Sequence, residues 1–146
     1  MVVTLSFYNQ FMEFVGDGGI DLDDDTFKIE LYNGTHSFTA THQDRADILA
    51  NALATNFGYT NPGKDLISVV WSSAGAVQTW DAGDNTWTAS GGSIGPAEHA
   101  VIYSDTSTAP SADLLMCNIA FGQPETAGDG TDFKITFNGS GLFTIS

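Results

Sequence analysis

Basic residues are almost missing from this chain. Lys28, Arg45, Lys64 and Lys134 stand against 18 Asp and Glu in 146 residues, a net charge of −14 at neutral pH. Such a chain repels phosphate, and with no basic stripe to release counterions it is not expected to bind nucleic acid directly. The same charge argues against an anionic membrane surface. Cysteine occurs once, so no internal disulfide can form. Cys117 lies in the apolar run "LLMCNIAF" and reads as a buried, inert thiol, not a nucleophile. No apolar run approaches membrane-spanning length. The start, "MVVTLSFYNQF", lacks the basic residues and small-residue cleavage site of a secretory leader, so secretion is not expected.

The motifs of catalysis are also missing. No Gly-x-Ser-x-Gly elbow occurs, and nothing places a Ser beside His99. The glycines of "GDGTDF" lead into a strand pattern, whereas a phosphate-binding loop opens a helix. Most carboxylates lie in turn contexts, which does not suit the paired acids of glycoside hydrolysis. The expectation is a protein that is no enzyme, with no catalytic residues, no metal and no cofactor.

What the chain has in quantity is apolar and turn-forming residues: 42% hydrophobic, ten Phe and 16 Gly. This length supports one domain, residues 1–146, burying roughly 68–70% of its unfolded surface. Phe7, Phe11, Phe14 and Val15, with Tyr8 and Met12 beside them, are spaced as one face of a short helix that Gly16, Gly18 and Gly19 stop. Residues 1–19 are therefore read as an N-terminal helical segment packed on a β domain. In "FKIELYNG", Phe27, Ile29 and Leu31 alternate with Lys28, Glu30 and Tyr32, a strand closed by Asn33-Gly34. Ile48, Leu49, Ala52 and Leu53 return to helical spacing, with Thr41 and Asp44 as a capping box and Gly58 as the end. This predicts a helix near residues 44–56. Beyond "YTNPGK" the pattern is of strands: "DLISVVW", "AVQTW", "TWTAS", "HAVIYS", "LLMCNIAF", "DFKITF" and "LFTIS", separated by Gly-, Pro- and Asn-rich turns. The fold class predicted is mainly β with a minor helical part, an antiparallel sandwich or barrel of about eight strands.

Three constellations invite a functional reading. Asp17, Asp21, Asp23, Asp24 and Asp25 could supply hard oxygens to calcium, but the loop runs straight into a strand and lacks the EF-hand pattern, so a solvated turn is expected. His36, His42 and His99 lack zinc-ligand spacing and are expected to be exposed polar residues. Trp80 and Trp87 flank "DAGDNT" and read as a cross-strand pair on a hairpin whose Asp81 and Asp84 form the turn. Core packing is the expectation for the two indoles; exposed, they would instead form a platform for sugar rings. Asn33 and Asn138 begin glycosylation sequons but read as turn residues, since Asn-Gly is a hairpin signal.

"IDLDDDTFKIELYNGTHSFTATHQDRADIL", "GYTNPGKDL", "TWDAGDNTWTAS", "HAVIYSDTS", "LLMCNIAFG" and "GTDFKITFNGSGLFTIS" follow one another in an order that resembles a family of small tailed-bacteriophage virion proteins. Members run from an aspartate-rich entry into a strand, through a "GYTxGG" turn, a "DADDxTW" hairpin and an "AVIYDDT" strand to a closing hairpin. The likeness covers roughly residues 7–146. The chain departs from it in "GYTNPGK", in Glu98 and His99 before "AVIY", and in Phe137 where the family has Trp. The resemblance implies a structural role: a capsid decoration, or cement, protein in the virion, made in the host cytoplasm. Its partner would be the major capsid protein, and it would act as a homo-oligomer or as many copies on the capsid lattice. The alternative is a tail- or fibre-associated adhesion module binding host glycans through Trp80 or Trp87.

Overall fold

The structure is a computed structural model and describes residues 4–146. The chain begins with β1 (Thr4–Phe7), a short α1 (Phe11–Gly16) and β2 (Phe27–Tyr32). A long irregular excursion follows, holding two single 3-10 turns (Arg45–Asp47 and Leu49–Asn51). Then come β3 (Lys64–Asp65), β4 (Ile67–Ala74), β5 (Val77–Gly83), β6 (Asn85–Thr88), β7 (Ile94–Ser104), β8 (Leu114–Ala127), β9 (Asp132–Ile135) and β10 (Phe143–Ile145). The mainly β, antiparallel expectation is met, with ten strands in place of about eight.

The framework is a five-stranded sheet in the order β1-β8-β7-β2-β3. Strand alternation gives it two buried faces. Phe27, Ile29 and Leu31 of β2, Ala100 and Ile102 of β7, and Leu114, Met116, Ile119 and Phe121 of β8 belong to the larger core. That core continues through Trp80 and Ala82 of β5, Trp87 of β6, and Phe133 and Ile135 of β9. The inner face is thus covered by two smaller sheets, β10-β5-β4 and β6-β9. The outer face carries Tyr32, Val101, Tyr103 and Leu115, which pack with Tyr8, Ile48 and Phe38 in a second cluster beneath the excursion. The register of β7 on β8 jumps between Ile102/Cys117 and Tyr103/Leu115, so Met116 and Cys117 both join the larger core.

Three expectations need correction. The helix near residues 44–56 is absent. Asp44 does cap a turn, accepting from the Ala46 amide, and Asp47 reaches back to the Gln43 amide. Ile48 then leaves helical geometry and Ala52 is extended. Tertiary pairing wins: the amides of Asn33 and Leu53 donate to the carbonyls of Asn51 and Leu31, stitching the segment along β2. Ile48 is buried while Leu49 is exposed, so the periodic stripe is not a core face.

The N-terminal segment is not one helix either. Residues 1–3 of the expected 1–19 segment lie outside the described residues. Phe7 sits on β1 opposite Cys117, and α1 runs for only six residues, burying Phe11 and Phe14 against the sheet. Finally, residues 76–90 form no Trp hairpin. β5 pairs with β4 and β10, while β6 pairs with β9, so the chain changes sheet at Asp84.

Candidate functional site

Three of the buried polar residues, Glu30, His36 and Asn118, meet on the outer face of the five-stranded sheet, under residues 33–63. β2 places Glu30 there by alternation, with no side-chain exposure. Both carboxylate oxygens are doubly engaged. Oε2 accepts from Arg45 Nε (2.7 Å) and Tyr32 Oη (2.7 Å), and Oε1 accepts from Arg45 Nη2 (2.8 Å) and Asn61 Nδ2 (3.0 Å). A carboxylate offers about four lone-pair sites, so this one is saturated. The bidentate fork is the strongest geometry open to such a pair. Its hydrogen bonds to Glu30 hold the Arg45 guanidinium above its ordinary value, against the effect of burial.

The excursion is pinned around this ion pair. Asn61 Nδ2 also donates to the Leu53 carbonyl (2.9 Å), and Tyr103 Oη donates to the Pro62 carbonyl (3.2 Å). Tyr59 Oη accepts from the Leu31 amide (2.9 Å), and Arg45 lies over the Tyr103 ring at 5.9 Å. Burial, with Glu30 as second cause, keeps the Tyr32 and Tyr103 phenols far from ionisation. Gly63, at φ +87°, runs so close to β2 that a Cβ would collide with the Ile29 carbonyl. "GYTNPGK" is therefore the clasp of the loop: a Tyr and an Asn that reach the sheet and a Gly that lets the backbone follow.

The histidines are not the exposed residues expected. His36 is 5% exposed, because Tyr32 and His99 flank its ring at 4.8 and 4.9 Å between centroids and Nε2 lies 3.2 Å from Asn118 Oδ1. Tyr32 pairs with His99 across β2 and β7, and Val101 with Asn118 across β7 and β8, so adjacent strand registers assemble the cluster. Burial, then the neighbouring His99, lowers His36 to about 4. Burial lowers His99 as well, and its Nδ1 has no partner. Among the described residues no group of three His, Cys, Asp or Glu is arranged to hold a metal ion.

The remaining sequence candidates are structural. Trp80 is wholly buried; its Nε1 donates to the Leu22 carbonyl (3.1 Å), with Phe27 edge-on at 5.1 Å and Phe143 stacked at 5.8 Å. Trp87 is buried against Tyr59 and Phe133. Neither indole offers a face to a sugar. Asp81 lies within β5 and accepts from the Ala82 amide, and Asp84 accepts from the Phe137 amide and pairs with Lys134 (3.0 Å). They are strand and corner residues, not hairpin-turn formers. In the acidic loop, Asp21 Oδ1 accepts from the amides of Asp23 and Asp24, and Asp25 Oδ2 accepts from the Asp21 amide and Ser104 Oγ. These carboxylates fold a turn. Cys117 is buried in the core, and that burial raises its thiol.

All four cations are engaged at home. Lys28 bridges Asp65 (2.7 Å) and Asp105 (3.0 Å), Arg45 holds Glu30, and Lys134 holds Asp84. Lys64 donates to the Thr86 carbonyl and lies over Trp87. The sequence reading missed the Glu30–Arg45–Asn61 network. Its only sequence signal was a charge at the outward phase of a strand otherwise rich in apolar residues. No helix among the described residues is long and apolar enough to cross a membrane. Comparison with protein-family models, curated proteins and solved structures gave no match.

Proposed function

We propose that this chain is a structural protein of a tailed-bacteriophage virion, a head decoration protein that docks on the outer surface of the major capsid protein and stabilises the shell. The observation that carries the reading is the ordered run of motifs over nearly the whole chain. Several of those motifs have definite structural duties: the aspartate-rich entry folds a self-bonded turn, "GYTNPGK" clasps the loop to the sheet, and "AVIY" is a central strand. The saturation of Glu30 and the burial of Trp80 and Trp87 favour a rigid structural body over a pocket for chemistry or for glycans.

Charge supports the same reading. With its cations paired internally, the chain presents an acidic exterior, which steers it toward a basic partner surface. Internal pressure in a filled head pulls capsomers apart. A clamp seated across two of them resists through its buried area, and a standard interface of ~1,600 Å² per copy suffices when many copies act together.

The test is reconstitution. Purified chain is added to expanded capsids lacking it, sedimented, and imaged for position and copy number. Saturable binding that weakens with salt, and capsids that then withstand heating better, are expected. Capsids that leave the chain in the supernatant at all salt concentrations would overturn the proposal.

A further inference from the structure

β4 is the outer strand of the sheet β10-β5-β4, and among the described residues its far edge has no partner. Proteins blunt such edges by shortness, charge, proline or cover. The other sheet ends follow that rule: β3 has two residues, both charged, β10 has three, β1 and β6 have four each, and β9 carries Asp132 and Lys134. β4 does not. It is eight residues long, "ISVVWSSA", and has no charge and no proline. Its one irregularity, the register shift between Ile67 and Val70 with Ser68 at φ +52°, is confined to one end. Beyond it, Val70 to Ala74 pair regularly with β5.

The side chains make the same point. Ile67 is 57% exposed and Val70 50%, and Val77 at the hairpin turn is exposed too. Residues 66–80 carry no charge, and Asp81 is the one charged residue in the whole three-stranded sheet. This sits in a chain of net charge −14. An open strand edge specifies its occupant as another strand, by main-chain hydrogen bonds. A second copy, equally acidic, can approach closely only where charge is missing from both sides, and a two-fold axis meets that condition with a single patch.

We propose that β4 pairs antiparallel with β4 of a second copy, joining two three-stranded sheets into one continuous six-stranded sheet. The pairing is isologous and consumes the edge, so assembly stops at the dimer. Val70, Ser72 and Ala74 share one face of β4 and lie at the seam. Each added salt increment screens the repulsion between the two acidic bodies and tightens the dimer. This inference is independent of the virion reading; it follows from the edge and its charge alone.

Sedimentation velocity on the full chain, over micromolar to millimolar concentration at low and high salt, reads the result. A monomer–dimer equilibrium that shifts toward dimer with salt is expected. Val70→Lys abolishes it, while Gln123→Lys, an equal charge change at an exposed site on β8, does not. Because Cys117 is buried, Ser72→Cys adds one reactive thiol and gives a disulfide-linked dimer when an oxidant such as copper–phenanthroline is supplied, whereas Thr108→Cys at a distant exposed loop gives no such cross-link. Unchanged melting of Val70→Lys confirms that it folds. A chain that is monomeric throughout, a dimer that survives Val70→Lys, or growth beyond the dimer would each overturn the proposal.

Discussion

Removing Arg45 is the sharpest perturbation the structure offers. Arg45→Leu leaves the Glu30 carboxylate with no exposure, losing two charge-assisted hydrogen bonds and keeping only Tyr32 and Asn61 as donors. Breaking a buried pair from one side costs about 3–5 kcal/mol, because an uncompensated charge stays in the interior. That is a large share of the ~5–15 kcal/mol a domain has in total. At this chain length 1 kcal/mol moves the melting temperature by roughly 2–4 °C, so a fall of about 10 °C is expected. Glu30→Gln destabilises for a matching reason: its amide NH₂ must face donors on Arg45 or Asn61. The double variant Glu30→Met/Arg45→Leu removes the charge from both sides and is expected to be less destabilised than Arg45→Leu alone. Urea unfolding, followed by the fluorescence of the buried Trp80 and Trp87, gives all three values. Hydrogen exchange adds location, since the amides of Asn33 and Leu53, bonded across the clasp, should lose protection first. If Arg45→Leu costs less than about 1 kcal/mol, or if the double variant is no more stable than Arg45→Leu alone, the clasp does not hold the loop.

Acid should weaken the protein through its histidines. The folded value of His36 is about 4 against an ordinary 6.5, so between those limits the unfolded chain takes up a proton that the folded chain refuses. The stability from this group is full above pH 6.5 and falls by roughly 3 kcal/mol as the pH drops through 4. His99, lowered in the same direction, adds to the loss. Urea midpoints between pH 7.5 and 4.5 should therefore fall, and His36→Gln should remove part of that slope; an unchanged slope refutes the assignment. For the tryptophans, the half-buried Trp71 on β4 is expected to supply the quenchable fluorescence. Trp71→Phe should abolish acrylamide quenching of the native state, while Trp80→Ala should cost about 3–5 kcal/mol. Persistent quenching in Trp71→Phe would mean that Trp80 or Trp87 is accessible.

Much of the architecture was legible because strand alternation is a local property. "FKIELY", "HAVIYS" and "LLMCNIAF" carry their period in their own residues, and all three became the central strands of the main sheet. The buried thiol of Cys117 and the turn role of the Asp21–Asp25 loop were legible for the same reason. The excursion was not. Ile48, Leu49, Ala52 and Leu53 have helical spacing, but the end of β2, which β3 leaves unpaired beyond Ile29, offered their backbone better partners than a helix could. Likewise "DAGDNT" has the composition of a turn, yet the chain passes straight through it from one sheet to another.

The sequence by itself therefore determined the fold class, the acidic exterior and the absence of any familiar catalytic motif, since these depend on composition and on neighbours in the chain. Tertiary structure alone decided which polar residues meet. Glu30 finds Arg45 and Asn61 across intervals of 15 and 31 residues, and His36 finds Asn118 across 82. No local period encodes such meetings. They arise because three strands present their outward phases in register, and the loop that closes over that face brings Ile48 and Phe38 to its apolar part and Arg45 and Asn61 to Glu30.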